Sequence, residues 1–349
     1  MDGTAFRVLD ALSRDPGGAT SISALSRDIR RLHGTAYYSN VYNALHRLEK
    51  DGIVQLTKAG HSSMVSLNLR NRQTIDALSE MELRSRGSLL AKRQELQRLF
   101  DSLSDTPSMG PASLIDAERN MKLNRAELLI QIPEGMSRTG TEALGARLGE
   151  LEGRLDIRID ALTLDEKGFR SLLAARDKNA LKEMLPRRTA LFAPDLFWSK
   201  IRNAWAHGIR IQFEQEETNP AKMSEQDLVY NLARFGYSEF GSPPKEGQDI
   251  GIEYVVAAVL LKGDARRIQA IPVILAKNQA NYDVLLFLAK KYGVQGQLYG
   301  LLRVLAKNDA NQGLQHALRM VEIARVKEVL ANEAGIEEMM RTYNAIPRS

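Results

Sequence analysis

Tyr38-Ser39-Asn40-Val41-Tyr42-Asn43-Ala44-Leu45-His46-Arg47-Leu48-Glu49-Lys50-Asp51-Gly52-Ile53-Val54 joins two hydrophobic periods back to back. Val41, Leu45 and Leu48 recur at helical spacing, so residues 38–50 are expected as a helix with that stripe turned inward. Asp51-Gly52 stops it, because Gly accepts the left-handed geometry of a helix C-terminus. Residues 53–57 and 63–69 then alternate apolar and polar side chains around the turn Lys58-Ala59-Gly60-His61, the pattern of a β-hairpin. Upstream, residues 5–12 read as a short helix closed by the breaker cluster Asp15-Pro16-Gly17-Gly18. A second helix opens at Ser21-Ile22-Ser23, carries Ile22, Leu25 and Ile29 on one stripe, and stops at Gly34.

Helix, helix–turn–helix and hairpin in this order, and the quoted stretch above all, resemble the recognition helix and first wing strand of winged-helix transcription regulators. The resemblance covers about 65 residues. It implies a DNA-binding module over residues 1–72 with the third helix in the major groove of double-stranded DNA. The residues agree with that independently. When Val41, Leu45 and Leu48 face inward, the opposite face presents Ser39, Asn40, Asn43, His46, Arg47 and Lys50. Asn can bond adenine bidentately and Arg guanine, while Ser, Tyr and Lys serve phosphates. Lys58 and His61, at the expected hairpin tip, are candidates for a neighbouring groove or phosphate. Residues 1–72 hold ten Lys/Arg against six Asp/Glu, so +4 of the chain's net +5 lies here. The other use of such a fold is protein contact, since a fold does not dictate its function.

Residues 73–103 contain no Pro and no Gly except Gly87, and Leu89, Leu96 and Leu103 recur at seven. Such a helix either packs on its own domain or dimerises, placing two modules on a palindrome; a homodimer is the expected assembly. Ser104-Asp105-Thr106-Pro107-Ser108-Met109-Gly110-Pro111 reads as a linker, which makes residues 73–111 a helical connector.

Over residues 112–218 expected strands (126–132, 154–163, 189–192, 209–213) alternate with expected helices (141–151, 165–184, 195–206), the order of an α/β sheet with right-handed crossovers. Residues 155–166, then Lys182-Glu183-Met184-Leu185 and residues 190–198, resemble the latter half of nucleotidyltransferase-fold domains. That family carries a Gly-Ser turn after its first strand and an Asp-x-Asp pair that holds metal and nucleotide phosphates. Here the turn is Pro133-Glu134-Gly135-Met136-Ser137-Arg138, and no Asp-x-Asp follows before Asp156. The resemblance therefore implies a degenerate, inactive domain. Asp156, Arg158 and Asp160 alternate along an expected strand and read as a half-solvated face with a paired Arg. Gly135 to Thr141 reads as a loop with a Thr cap. Arg202 and His207 resemble the Arg-x4-His motif of small helical toxin-type nucleases, but five residues turn them about 140° apart on one helix. They are expected to be structural, with His207 at the helix C-terminus.

Residues 219–349 read as a helical domain, with helices expected over 224–235, 252–261, 265–276, 282–292, 295–306 and from 313 to 332 or beyond. Leu275-Ala276-Lys277-Asn278-Gln279-Ala280-Asn281 recurs as Leu305-Ala306-Lys307-Asn308-Asp309-Ala310-Asn311, a duplicated helical corner with an Asn cap. The chain of 349 residues is 44% hydrophobic and 26% charged, enough apolar surface for more than one core. The longest apolar run, residues 254–261, is far short of the roughly 20 that span a bilayer, so no membrane contact is expected. Without cysteine there is no disulfide, thiolate metal site or thiol nucleophile. The five His (33, 46, 61, 207, 316) show no metal-ligand spacing, and neither metal, cofactor nor catalytic residue is expected. The composition suits a cytoplasmic protein. The fold class expected is α+β and multidomain: winged helix, connector, nucleotidyltransferase-like α/β domain, all-α C-terminal domain. The function expected is sequence-specific transcriptional regulation, the later domains sensing a small molecule or a protein. The alternative is a nucleotidyltransferase or toxin–antitoxin-type enzyme with an autoregulatory winged helix.

Overall fold

Short polar side chains begin the first helices by taking up free N–H groups, as caps do. In the computed structural model, which describes residues 1–106, 109–133, 135–238, 244–307 and 311–345, the Asp2 carboxylate accepts from Thr4 and Ala5 N–H and opens α1 (Gly3–Ser13). Ser21, in the two-residue strand β1 (Thr20–Ser21), caps α2 (Ile22–His33). Helix α3 (Tyr38–Lys50) has no side-chain cap and buries Val41, Ala44, Leu45 and Leu48. The strands β2 (Val54–Ala59) and β3 (Ser62–Leu67) form an antiparallel hairpin, with Val54 opposite Leu67 and Ala59 opposite Ser62. Strand β1 adds to the other edge of β3. The hairpin is longer than the alternation alone suggests: Lys58 sits on β2, and the turn is Gly60-His61.

The remaining elements follow as α4 (Arg72–Leu90), α5 (Gln94–Ser104), β4 (Ala112–Ile115), α6 (Ala117–Met121), β5 (Arg125–Gln131), α7 (Arg138–Leu155), β6 (Arg158–Leu164), α8 (Glu166–Ala174), α9 (Ala180–Met184), β7 (Arg188–Phe192), α10 (Pro194–Ala206), α11 (Glu225–Arg234), α12 (Ile252–Lys262), α13 (Ala265–Lys277), α14 (Tyr282–Tyr292), α15 (Gln295–Ala306), α16 (Gln312–Ile323) and α17 (Glu333–Thr342). The chain is α+β and predominantly helical. No helix among the described residues is long and apolar enough to cross a membrane. Two compact units are each assembled from separate stretches: Met1–Pro133, Asp165–Ala174 and Leu181–Gln215 in the first; Glu134–Leu164, Ala175–Ala180 and Glu216–Ser349 in the second.

In the first unit β4 pairs antiparallel with β5 on one side and β7 on the other, Leu114 lying opposite Leu128 and Thr189. Strand β4 is thus an addition to the expected strands, inserted antiparallel between β5 and β7. Strand β4 escapes the sequence reading because it has four residues, all buried, and shows no alternation. The strand expected at residues 209–213 does not form. Ile211 and Phe213 are buried, but the segment is extended without a ladder, and Glu214 N–H donates to the Lys182 carbonyl. The Ile211 carbonyl lies so close to Gly17 that a Cβ there would stand 2.1 Å from its oxygen, so the breaker glycine is also a packing requirement. The connector is two helices, α4 and α5, separated at Ala91–Arg93. Leu96, Leu99 and Leu103 are buried inside the unit. Two leucines of the repeat, Leu96 and Leu103, therefore pack within their own unit, while Leu89, on α4, is half-buried.

The tie across this unit is ionic. Arg188 of β7 grips the Glu82 carboxylate of α4 with both terminal guanidinium nitrogens, Nη1 at 2.9 Å, and Trp198 Nε1 of α10 donates to the same carboxylate at 2.7 Å. The guanidinium also lies 3.5 Å over the Phe197 ring. Both charged side chains are buried. Burial pushes the Glu82 carboxyl above the usual carboxylate range against the pull of Arg188 and Trp198.

In the second unit every residue from Ile252 to Leu260 of α12 is buried. Among them Glu253 accepts from Asn281 N–H at 2.7 Å. Asn281 and Asn311 cap α14 and α16 in the same way, each accepting from the N–H groups two and three residues on; residues 308–310 of the second corner lie outside the described residues. Helix α16 stops at Ile323, short of the expected 332. An extended segment follows and crosses α15, where Val329 N–H donates to the Gly296 carbonyl. A Cβ at Gly300 would stand 2.1 Å from the Val329 carbonyl oxygen, so only glycine admits the crossing.

Removing one partner of a buried ion pair leaves the other charge unpaired and costs about 3–5 kcal/mol, whereas an apolar pair of similar volume is often neutral. Glu82→Ala should therefore destabilise the first unit by about that amount, and Glu82→Leu with Arg188→Met by much less. Urea unfolding followed by tryptophan fluorescence checks this, because both tryptophans, Trp198 and Trp205, lie in this unit.

Candidate nucleic-acid interface

Helix α3 is amphipathic at 3.6 residues per turn, so burying Val41, Ala44, Leu45 and Leu48 leaves the other side in solvent. Ser39, Asn40, Asn43, His46, Arg47 and Lys50 are all exposed, as are Lys58 on β2 and His61 in the turn. The structure thus brings the six α3 residues together on one helix face, and places Lys58 and His61 on the hairpin. The Asn40 and Asn43 amides make no hydrogen bond with the described residues, and Lys50 and Lys58 form no ion pair with them.

Two of the candidates are engaged. Arg47 Nη2 lies 2.6 Å from Asp2 Oδ2, and His46 Nδ1 lies 3.1 Å from Glu49 Oε2. The Ala5 N–H and, beyond it, the Arg47 guanidinium hold the Asp2 carboxyl below the usual carboxylate range. Tyr37, Tyr38 and Tyr42 stand 71%, 53% and 41% exposed, unusual for side chains that bury much apolar area elsewhere. Tyr38 stacks on Tyr42 with ring centroids 6.3 Å apart, and Tyr42 meets His46 edge-on at 4.4 Å. The tyrosines were absent from the eight candidates, although spacing of four from Tyr38 to Tyr42 to His46 already placed them on the same face.

The other sites weighed in the sequence resolve differently. Asp156 ends α7 in the left-handed region (φ 52°) and is not on a strand. Arg158 Nε pairs with Asp160 Oδ1 at 3.2 Å, but Asp160 is fully buried, as are Ile157 and Ile159. The expected half-solvated face is therefore corrected in part: Arg158 is exposed and paired as expected, but Asp160, Leu162 and Leu164 on the same face are buried. The cap of α7 is Ser137, whose hydroxyl accepts from Gly140 N–H at 3.2 Å, in place of the expected Thr. Among the described residues no group of three or more His, Asp or Glu side chains is placed to hold a metal. In α10, Trp198, Ile201 and Ala204 form the buried stripe. Trp205 is half-buried under the Arg70 guanidinium, 5.6 Å from the ring centre. His207 is the C-cap, its Nδ1–H donating to the Asn203 carbonyl at 2.7 Å.

Within the second unit, α7, β6, α14 and α16 line an open pocket of about 730 Å³ with walls that include Leu148, Ile159, Phe287, Met320 and Val321. At its edge Lys290 Nζ pairs with Glu152 at 2.7 Å. Its size is that of pockets for small molecules, about 300–1,000 Å³.

Compared with models of protein families, with curated proteins and with solved structures, the chain matches none.

As a cap that favours the α10 C-terminus, His207 should matter to stability by a small amount. His207→Ala is expected to lower the Tm by about 1–4 °C. Differential scanning calorimetry measures this, and a loss of Tm above about 10 °C would show a larger packing role.

Proposed function

We propose that this chain is a sequence-specific, double-stranded-DNA-binding regulator of transcription, with residues 1–72 acting as a winged helix and α3 as its recognition helix. The observation that carries the reading is the outer face of α3: two unbonded Asn amides, an exposed Arg, Lys50 and a tyrosine ladder on one solvent-facing helix. The element order α1-β1-α2-α3-β2-β3 with sheet order β1-β3-β2 supports it, as does the +4 charge of the segment. A major groove about 12 Å wide admits one α-helix, and amides and guanidinium groups are the side chains that tell its base edges apart. Lys58 and His61 on the hairpin are assigned to phosphate or a neighbouring groove.

The rest of the chain is assigned to control. Residues 112–218 are taken as a nucleotidyltransferase-like segment without transfer activity, because the turn after β5 lacks the Gly-Ser pair and no Asp-x-Asp follows it. The open pocket of about 730 Å³ in the second unit supports a small-molecule effector. A homodimer on a palindrome would have to form through surfaces other than Leu96, Leu99 and Leu103, which are buried.

Fluorescence anisotropy with duplexes selected from a genomic fragment library tests the reading across a salt series. Arg47→Ala should weaken specific binding by about 1–3 kcal/mol, and Lys58→Ala should lower the salt slope by about one. Unchanged affinity when Ser39, Asn43 and Arg47 are all replaced by alanine would overturn the docking. Incubation with labelled nucleoside triphosphates and Mg²⁺ should label neither protein nor RNA; labelling abolished by Asp160→Asn would reverse the assignment of residues 112–218.

A further inference from the structure

Asp2 faces two ways. Its Oδ1 accepts from Thr4 and Ala5 N–H at 2.9 and 2.8 Å, which fixes the carboxylate to the first turn of α1. Its Oδ2 meets Arg47 Nη2 at 2.6 Å. Helix α1 packs on α3 through a buried core that includes Val8, Leu9, Val41 and Leu45, so the carboxylate holds a set place beside α3. Arg47 nonetheless remains 63% exposed, and its other guanidinium nitrogens have no partner among the described residues.

An exposed ion pair adds little to stability, and an α1 cap needs only a side-chain oxygen, so Asn or Ser would serve there equally well. A carboxylate at this position has a distinct consequence. It restricts a long, flexible side chain to one orientation while leaving most of its donor fork facing solvent. A guanidinium reads guanine through two parallel N–H bonds to O6 and N7, and that geometry is entropically costly for an untethered arginine. The same negative charge repels phosphate, so it lowers affinity for DNA in general. Selectivity is gained at the expense of strength.

We infer that Asp2 is a positioning residue that orients Arg47 to read a guanine in the major groove, making the preferred duplex one with a G·C pair at the position facing Arg47. This rests on α3 being the recognition helix, and the experiment separates the two.

The full chain, as wild type, Asp2→Asn, Arg47→Ala and the double variant, is titrated against the preferred duplex and against versions with each G·C pair changed to A·T. Asn keeps the α1 cap and removes the charge, so the Tm should not change. One position should show about tenfold preference for G·C in the wild type, a preference abolished by Arg47→Ala. Asp2→Asn should cut that preference at least about threefold while binding to unrelated duplexes stays equal or tightens, and in the Arg47→Ala background it should leave the ratio between the G·C and A·T duplexes unchanged. If Asp2→Asn changes affinity for every duplex by one factor and leaves the preference intact, Asp2 is only a surface charge and the inference is overturned. If Asp2→Asn strengthens the preference, Asp2 holds Arg47 away from the bases, and the inference is again overturned. Wild-type protein that binds duplexes but shows no Arg47-dependent position defeats this inference alone; wild-type protein that binds no duplex defeats the DNA-binding reading itself.

Discussion

The Glu82–Arg188–Trp198 cluster is the constraint on which the first unit depends. Ions leave water at a cost of several kcal/mol each, which is recovered only when geometry and hydrogen bonds are nearly complete. Here the carboxylate receives two guanidinium contacts and an indole N–H, and the guanidinium lies on an aromatic ring. Helix α4 must meet β7 and the adjoining α10, more than a hundred positions further along the chain, for these contacts to form. A shift of one residue along β7 would turn Arg188 to the other face of the strand and leave Glu82 buried with no counter-charge. The cluster therefore specifies register as well as contributing to cohesion.

The consequence reaches the N-terminal segment. Helix α4 is followed by residues that hold α5 by its leucines, and it is preceded by the hairpin, whose end it secures when Thr74 Oγ1 donates to the Asn68 carbonyl at 2.8 Å. The Arg84 guanidinium of α4 lies 5.2 Å from the centre of the Phe6 ring in α1. Of the two uses open to it, packing or dimerising, α4 serves the first: it is the mount on which α1, and through it α3, is set. The outer face of α3 needs such a mount: it spends its apolar residues on one stripe and leaves amides, cations and tyrosines in water, where they add almost nothing to stability. The second unit is built on a different principle. There α12 is buried nearly all round, and Asn caps set where the helices around it begin.

Much was legible in the linear sequence where the interaction is local. The stripe of α3, its stop at Asp51-Gly52 and the hairpin follow from spacing and from glycine's backbone freedom, which neighbours in the chain decide among themselves. The exposure of Ser39, Asn40, Asn43, His46, Arg47 and Lys50 follows too, because burying one side of a helix exposes the other. The tyrosine ladder carries the same local signal, since Tyr38, Tyr42 and His46 are spaced by four. Capping by Asn281 and Asn311 was equally local.

What only the tertiary structure decided is whatever depends on a partner remote in sequence. Alternation at residues 209–213 marks side chains that alternate between core and solvent, but a strand also needs a neighbour to bond, and this segment pairs with none of the described strands. Conversely β4, four buried residues without alternation, is a strand because β5 and β7 flank it. Asp160 reads as part of a half-solvated face until its neighbours cover it, and nothing in the sequence around Glu82 marks it for burial, since burial is a property of the surroundings and not of the residue. Asp2 carries no role in the sequence reading, which starts the first helix at residue 5; that one of its oxygens caps α1 and the other meets Arg47, forty-five positions away, is a finding of the structure and follows from how α1 packs on α3. Local sequence determined which groups stand on the α3 face, and tertiary packing decided which of them is held in place, because only packing brings a fixed charge to bear on a flexible side chain.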